Sequence, residues 1–133
     1  MYNVTREIHF NYGHRLLHHA GKCGHLHGHN GRIQVEISSQ KLDQQNMVVD
    51  FAQIKETLGA WIDEELDHKT LLWDQDPLVE VLRGAGEPVV VMKENPTAEA
   101  LARWIYEEAR ARRLAVSRVT VWESDDAFAS YHT

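Results

Sequence analysis

An α+β fold, with two helices covering one face of an antiparallel four-stranded sheet, is what the order of periodic segments in this 133-residue chain predicts. Three observations carry the prediction. Period-two alternation marks strands towards both ends of the chain, and two segments with three- and four-residue apolar spacing stand between them. No repeat, linker or low-complexity region divides the sequence, so residues 1–133 are expected to form one domain with a real core.

The first strand is expected from Tyr2 to Phe10, where Tyr, Val, Arg, Ile and Phe at even positions alternate with Asn, Thr, Glu and His at odd ones. Ile33, Val35 and Ile37, interleaved with Gln34, Glu36 and Ser38, repeat the pattern in a second strand. Between them lies a histidine-rich loop broken by Gly21, Gly24, Gly28 and Gly31. Lys41 to Asn46 is polar and reads as a turn. A helix should start at Asp50, whose carboxylate can cap it, with Gln53 completing a capping box. Phe51, Ile54, Leu58, Trp61 and Leu66 form its apolar face, and it ends near Asp67-His68.

From Trp73 to Glu94 the signal weakens: Pro77, Pro88 and Gly84-Ala85-Gly86 interrupt it, with room for a short helix at Leu78 to Leu82. Asn95-Pro96-Thr97 starts the second helix, with Pro96 placed in its first turn. Its stripe is Ala98, Leu101, Ile105 and Ala109, and Arg110, Arg112 and Arg113 complement the dipole at its end. Val119 and Val121 then alternate with polar neighbours in a third strand, and Ala127 to Tyr131 suits a fourth.

Composition excludes several classes of function. A net charge of -6 argues against a nucleic-acid partner bound by phosphate neutralisation. No apolar run is long enough to cross a membrane, and the N-terminus lacks the pattern of a signal peptide. A lone cysteine, Cys23, forms no internal disulfide, which fits a reducing compartment; the cytoplasm is the expected location.

Seven of the nine histidines fall between His9 and His29, and histidine is the commonest metal ligand. His27-Gly28-His29 places two imidazoles on one side of an extended segment. His14 follows the first strand, and pairing of the two strands would bring it alongside. Three histidines with a position left open describe a catalytic zinc (Zn2+) site, because structural sites usually close with four protein ligands. The alternatives are loop histidines without a metal, or a closed structural site with Cys23 as fourth ligand. His18, His19 and His25 rival the chosen three by spacing but are expected in exposed loop.

Cys23 stands four residues before His27, where a neighbouring cation would favour its thiolate; the alternative is a small buried hydrophobe. Asp67-His68 by itself suits a solvated helix end. Glu123 shares the parity of Val119 and Val121, so it should sit on their apolar face and need a partner. That partner is either a ligand with adjacent N–H donors or an arginine.

These residues together resemble the 6-pyruvoyl-tetrahydropterin synthase and 6-carboxy-tetrahydropterin synthase family. The matching pieces are Phe10…His14-Arg15-Leu16, Cys23-Gly24-His25-Leu26-His27-Gly28-His29-Asn30 and Val49-Asp50-Phe51. They continue with Leu66-Asp67-His68, Asn95-Pro96-Thr97-Ala98-Glu99, and Glu123-Ser124 with Ala129 and Tyr131, in family order over nearly the whole chain.

The resemblance implies the tunnelling fold, assembled into barrels, usually a hexamer of two trimers with sites at subunit interfaces. It implies that His14, His27 and His29 bind zinc, that Cys23, Asp67 and His68 are catalytic, and that Glu123 anchors the pterin ring. The implied substrate is 7,8-dihydroneopterin triphosphate or a close relative. The implied product is 6-carboxy-tetrahydropterin, on the way to deazapurines such as queuosine, or the 6-pyruvoyl compound. One departure stands out: Asn11-Tyr12-Gly13 precedes the first ligand where the family usually has small residues, so Tyr12 bears on the room in the site. The stretch from Leu71 to Glu94 is also longer than in the smallest members.

Overall fold

The first two strands, β1 (Tyr2–His14) and β2 (His27–Ser39), form a long antiparallel hairpin in the computed structural model, which describes residues 1–133. Alternation explains which way it faces. Even-numbered side chains of β1 and odd-numbered ones of β2 point to one side, so Phe10, Tyr12, Ile33, Val35 and Ile37 are buried. Asn3, Thr5, Glu7, Gln34 and Glu36 line the opposite, polar face.

The sheet has six strands where periodicity predicts four, in the order β4-β3-β1-β2-β5-β6, and it is mixed. β5 (Val116–Ser124) and β6 (Ala127–Tyr131) continue it antiparallel beyond β2. On the other side, β3 (Lys69–Trp73) and β4 (Val89–Met92) add to β1 in parallel. These two strands escape a period-two reading because they are short, and because β3 is covered on both faces, so that its apolar residues run together. Leu71 and Leu72 are adjacent in sequence and both fully buried. A parallel pair needs a crossover, and α3 (Leu78–Gly84) supplies it.

The first helix is one rod with a distortion: α1 (Phe51–Ile54) runs through a π-helical stretch (Lys55–Gly59) into α2 (Ala60–Glu65). Ile54, Leu58, Ile62 and Leu66 are fully buried at four-residue steps. Such steps overshoot a 3.6-residue turn, and the wider π turn brings them back into line. Phe51, expected on this face, is 46% exposed instead. Asp50 caps the helix by accepting the Ala52 amide at 2.9 Å, but Gln53 returns no side-chain bond, so the capping box is not closed.

α4 (Ala98–Ala111) buries Ala98, Leu101, Ile105 and Ala109 as its spacing predicts. Its cap is Thr97, which accepts the Ala100 amide at 3.1 Å. Pro96 therefore lies ahead of the cap rather than in the first turn, and its carbonyl is free for another donor. Both helical segments pack on the face formed by Phe10, Ile33, Val35, Val119 and Val121. No helix is long and apolar enough to cross a membrane.

Candidate metal centre

Strand register alone places the histidines. His14 lies directly opposite His27 on the hairpin, and Tyr12 lies opposite His29. Their side chains share the inner face, so the three imidazoles meet at the loop end of the hairpin, with ring centroids 4.5, 5.0 and 5.0 Å apart. One nitrogen from each lies within 4.8 Å of the others.

Backbone carbonyls orient two of the rings. His14 Nδ1 lies 2.7 Å from the Pro96 carbonyl oxygen, and His27 Nδ1 lies 2.7 Å from that of His25. A carbonyl can only accept, so each neutral ring carries its proton on Nδ1 and leaves Nε2 bare. His29 Nε2 comes within 3.1 Å of His14 Nε2. Burial, opposed by the Pro96 carbonyl and reinforced by His27 and His29, pushes His14 down to about 4. Burial also lowers His29, against the pull of Glu123. Neutral imidazoles are the metal-binding form.

The donor set fits a divalent ion of the zinc type. Nitrogens on tetrahedral bonds of ~2.0–2.1 Å stand roughly 3.3–3.4 Å apart, close to the His14–His29 separation. Carbonyl partners on Nδ1 are the usual outer support of a ligating histidine. The Cys23 thiol is exposed and is not in the cluster, so the closed four-ligand alternative has no support.

Glu123 joins the same face, as its parity with Val119 and Val121 predicts. Its oxygens lie 4.0 Å from both His14 Nε2 and His29 Nε2. It sits at an irregularity where β5 slips against β6, between Trp122 and Ser124. Bulges of this kind re-aim a side chain beside a site. No lysine or arginine pairs with Glu123, so the arginine alternative does not hold.

Tyr12 is packed against this centre. Its ring stacks on Phe10 at 4.7 Å and meets His14 and His29 at 5.2 and 5.5 Å. Gly31 makes that stack possible, since a Cβ there would come within 2.6 Å of Phe10 and 2.9 Å of Tyr12. The Tyr12 hydroxyl is buried without a partner, which costs about 1–3 kcal/mol. Burial first, and then the Glu123 charge, push the phenol far above its ordinary value, so it remains an O–H donor.

Asp67 and His68 form a positioned pair at the end of α2. Asp67 accepts the Asn11 amide on one oxygen at 2.8 Å and bonds His68 Nδ1 with the other at 2.7 Å. Burial opposes its charged form, but these bonds outweigh it and hold Asp67 below the usual carboxylate range. His68 adopts φ 60°, held by its amide's 2.6 Å bond to the Asn11 carbonyl. The exposed His68 ring shares a shallow depression with Leu26, His27 and Thr70. Cys23, in a short 3-10 turn (Lys22–Gly24), has no hydrogen bond or ion pair to this pair. His18, His19 and His25 are exposed, as expected.

Several supporting groups carry no signal in the sequence. Arg15 and the buried Asp76 make a two-pronged pair, with Nε to Oδ2 at 2.8 Å and Nη2 to Oδ1 at 2.5 Å. The Asn95 amide clasps Leu17, accepting its N–H at 2.9 Å and donating to its carbonyl at 3.0 Å. With the Pro96 carbonyl, these groups tie the histidine loop to the segment after β3. The Asn95-Pro96 dipeptide reads along the chain only as a helix start, and nothing in its spacing points to a pairing with Leu17.

The family model described as 6-pyruvoyl tetrahydropterin synthase matches residues 3–133. A 6-carboxy-5,6,7,8-tetrahydropterin synthase of Rickettsia bellii is 33% identical over 96% of this chain and 98% of its own. A probable enzyme of that name from Halobacterium salinarum is 45% identical over 72% of this chain and 61% of its own. Among solved structures, an uncharacterized protein from Wolinella succinogenes aligns with a TM-score of 0.85 at 29% identity, covering 98% of this chain and 97% of that one. The Caenorhabditis elegans 6-pyruvoyl tetrahydropterin synthase, at 22% identity, shares the fold with a TM-score of 0.74 over 99% of this chain and 95% of that one. With the family model spanning nearly its whole length, the chain belongs to the 6-pyruvoyl tetrahydropterin synthase family.

Proposed function

We propose that this protein is a zinc-dependent 6-carboxy-5,6,7,8-tetrahydropterin synthase acting on 7,8-dihydroneopterin triphosphate, with release of triphosphate and acetaldehyde. The observation that carries the reading is the convergence of His14, His27 and His29, two of them held through Nδ1 by backbone carbonyls. Relatives carrying the 6-carboxy name favour that product over the 6-pyruvoyl one. The product class also suits an early step towards deazapurines such as queuosine, in the cytoplasm.

His14, His27 and His29 hold the ion, which when bound supplies Lewis acidity towards the substrate's side-chain oxygens. Glu123 accepts two hydrogen bonds from the pterin's amino and ring N–H groups and fixes the ring's orientation. Cys23 moves protons at the side-chain carbons next to the ring. His68, its Nδ1 oriented by Asp67, is the second acid–base group. No hydrogen bond or ion pair joins Cys23 to the Asp67–His68 pair within one chain, which favours a site completed by a neighbouring copy. A homohexamer made of two trimers is the proposed assembly.

The test is incubation of zinc-loaded protein with dihydroneopterin triphosphate, followed by product identification. Acetaldehyde with a 6-carboxy pterin supports the proposal. A 6-pyruvoyl product moves the chain to the other branch, and no turnover of any reduced pterin overturns both.

A further inference from the structure

The Tyr12 hydroxyl is the one buried side-chain polar atom in the molecule without a hydrogen-bond partner. Every other buried polar side chain has found one, so this group stands out chemically. Its surroundings are not those of an ordinary core tyrosine. One face of the ring stacks on Phe10, its edge meets His14, and His29 is tilted against it. Space for the ring exists because position 31 is glycine. Phenylalanine would fill the same space without leaving a donor unpaired, so packing accounts for the ring but not for the hydroxyl.

An O–H with no acceptor in the protein, on a ring packed against two converging imidazoles, is suited to an acceptor that arrives with a ligand. The Tyr12 ring packs directly against His14 and His29, so a ligand that reaches these histidines comes beside it. Glu123, 4.0 Å from both histidines, offers that space an acceptor for N–H groups, and Tyr12 complements it as a donor for oxygen. We propose that the Tyr12 hydroxyl contacts substrate, donating a hydrogen bond to an oxygen of the pterin's hydroxylated side chain. The bulk of its ring sets the room available to that side chain. This inference rests on the pterin reading of the site.

The test compares zinc-loaded wild type with Tyr12→Phe. Bound zinc is measured first. Calorimetric titrations follow with 7,8-dihydroneopterin, which carries the hydroxylated side chain, and with pterin, which lacks it. Equal zinc content, about tenfold weaker dihydroneopterin binding and pterin binding within about twofold of wild type are expected for the variant. Without ligand, Tyr12→Phe should melt a few degrees higher, because it removes an unpartnered buried hydroxyl. Equal dihydroneopterin affinity, an equal loss for pterin, or loss of zinc would overturn the inference while leaving the pterin reading intact. Failure of zinc-loaded wild type to bind either compound would overturn the pterin reading and this inference with it.

Discussion

The neighbours of each imidazole in the candidate metal centre decide what its loss should do. His14 and His27 are oriented by backbone carbonyls, so each lost ligand also leaves a carbonyl without its donor. His27→Ala should therefore abolish stoichiometric zinc binding. Cys23→Ala should retain zinc while losing turnover, because the exposed thiol stands outside the cluster. Metal analysis of the two purified variants checks this, and equal zinc loss in both would sink the acid–base role of Cys23. Glu123 has no basic partner to lose. Glu123→Gln should fold and bind zinc normally but weaken reduced-pterin binding about a hundredfold, as loss of charge-assisted bonds predicts. A calorimetric titration with 7,8-dihydroneopterin reads that loss directly.

At the scale of elements, the segment from β3 to α4 is tied to the histidine loop through Asp76, Asn95 and Pro96. Its anchor is Asp76, which takes the Arg15 guanidinium and the Leu78 amide together. The Arg15 bonds outweigh burial and hold Asp76 below the usual carboxylate range. A carboxylate whose folded value is depressed contributes stability above its unfolded value of about 3.9 and loses it as pH falls through the folded value. Asp76→Asn should cost about 3 kcal/mol at pH 7, since it leaves a partly buried guanidinium unpaired. The gap in urea midpoint between wild type and variant should then shrink as pH falls below about 4. A gap independent of pH would mean that the ion pair is not the anchor.

For the whole molecule, the open sheet and the lack of any hydrogen bond or ion pair between Cys23 and Asp67–His68 point the same way. Both ends of the sheet, β4 and β6, carry one unpaired edge, and such edges are sites for pairing with another chain. If each site takes Cys23 from one copy and His68 from a neighbour, two inactive variants should rescue one another. Cys23→Ala and His68→Ala, refolded together in equal amounts, should recover roughly a quarter of wild-type activity, the statistical share of sites with both groups intact. Separate refolding followed by simple addition should recover none. Absence of rescue after co-refolding would place the whole site within one chain.

Much of this protein is legible in local pattern alone. The β1–β2 and β5–β6 hairpins follow from alternation, and α4 follows from spacing. His14, His27 and His29 are identifiable because strand parity and hairpin register are local rules that carry side chains to one face. The parity of Glu123 works for the same reason. β3 and β4 are not legible, because four or five residues, in β3 buried on both faces, leave no period to detect. Nor are the Pro96 carbonyl, the Asp76 anchor or the Asn95 clasp, each of which joins residues 61 to 82 positions apart. Tyr12 shows the division within one residue. Its place in the chain marks it only as bulk beside the first ligand, whereas its unpartnered hydroxyl exists because two strands, Gly31 and the histidines close around it. Sequence by itself determined which residues share a face. Only the tertiary structure decided which of them find partners, because pairing depends on the approach of segments distant along the chain.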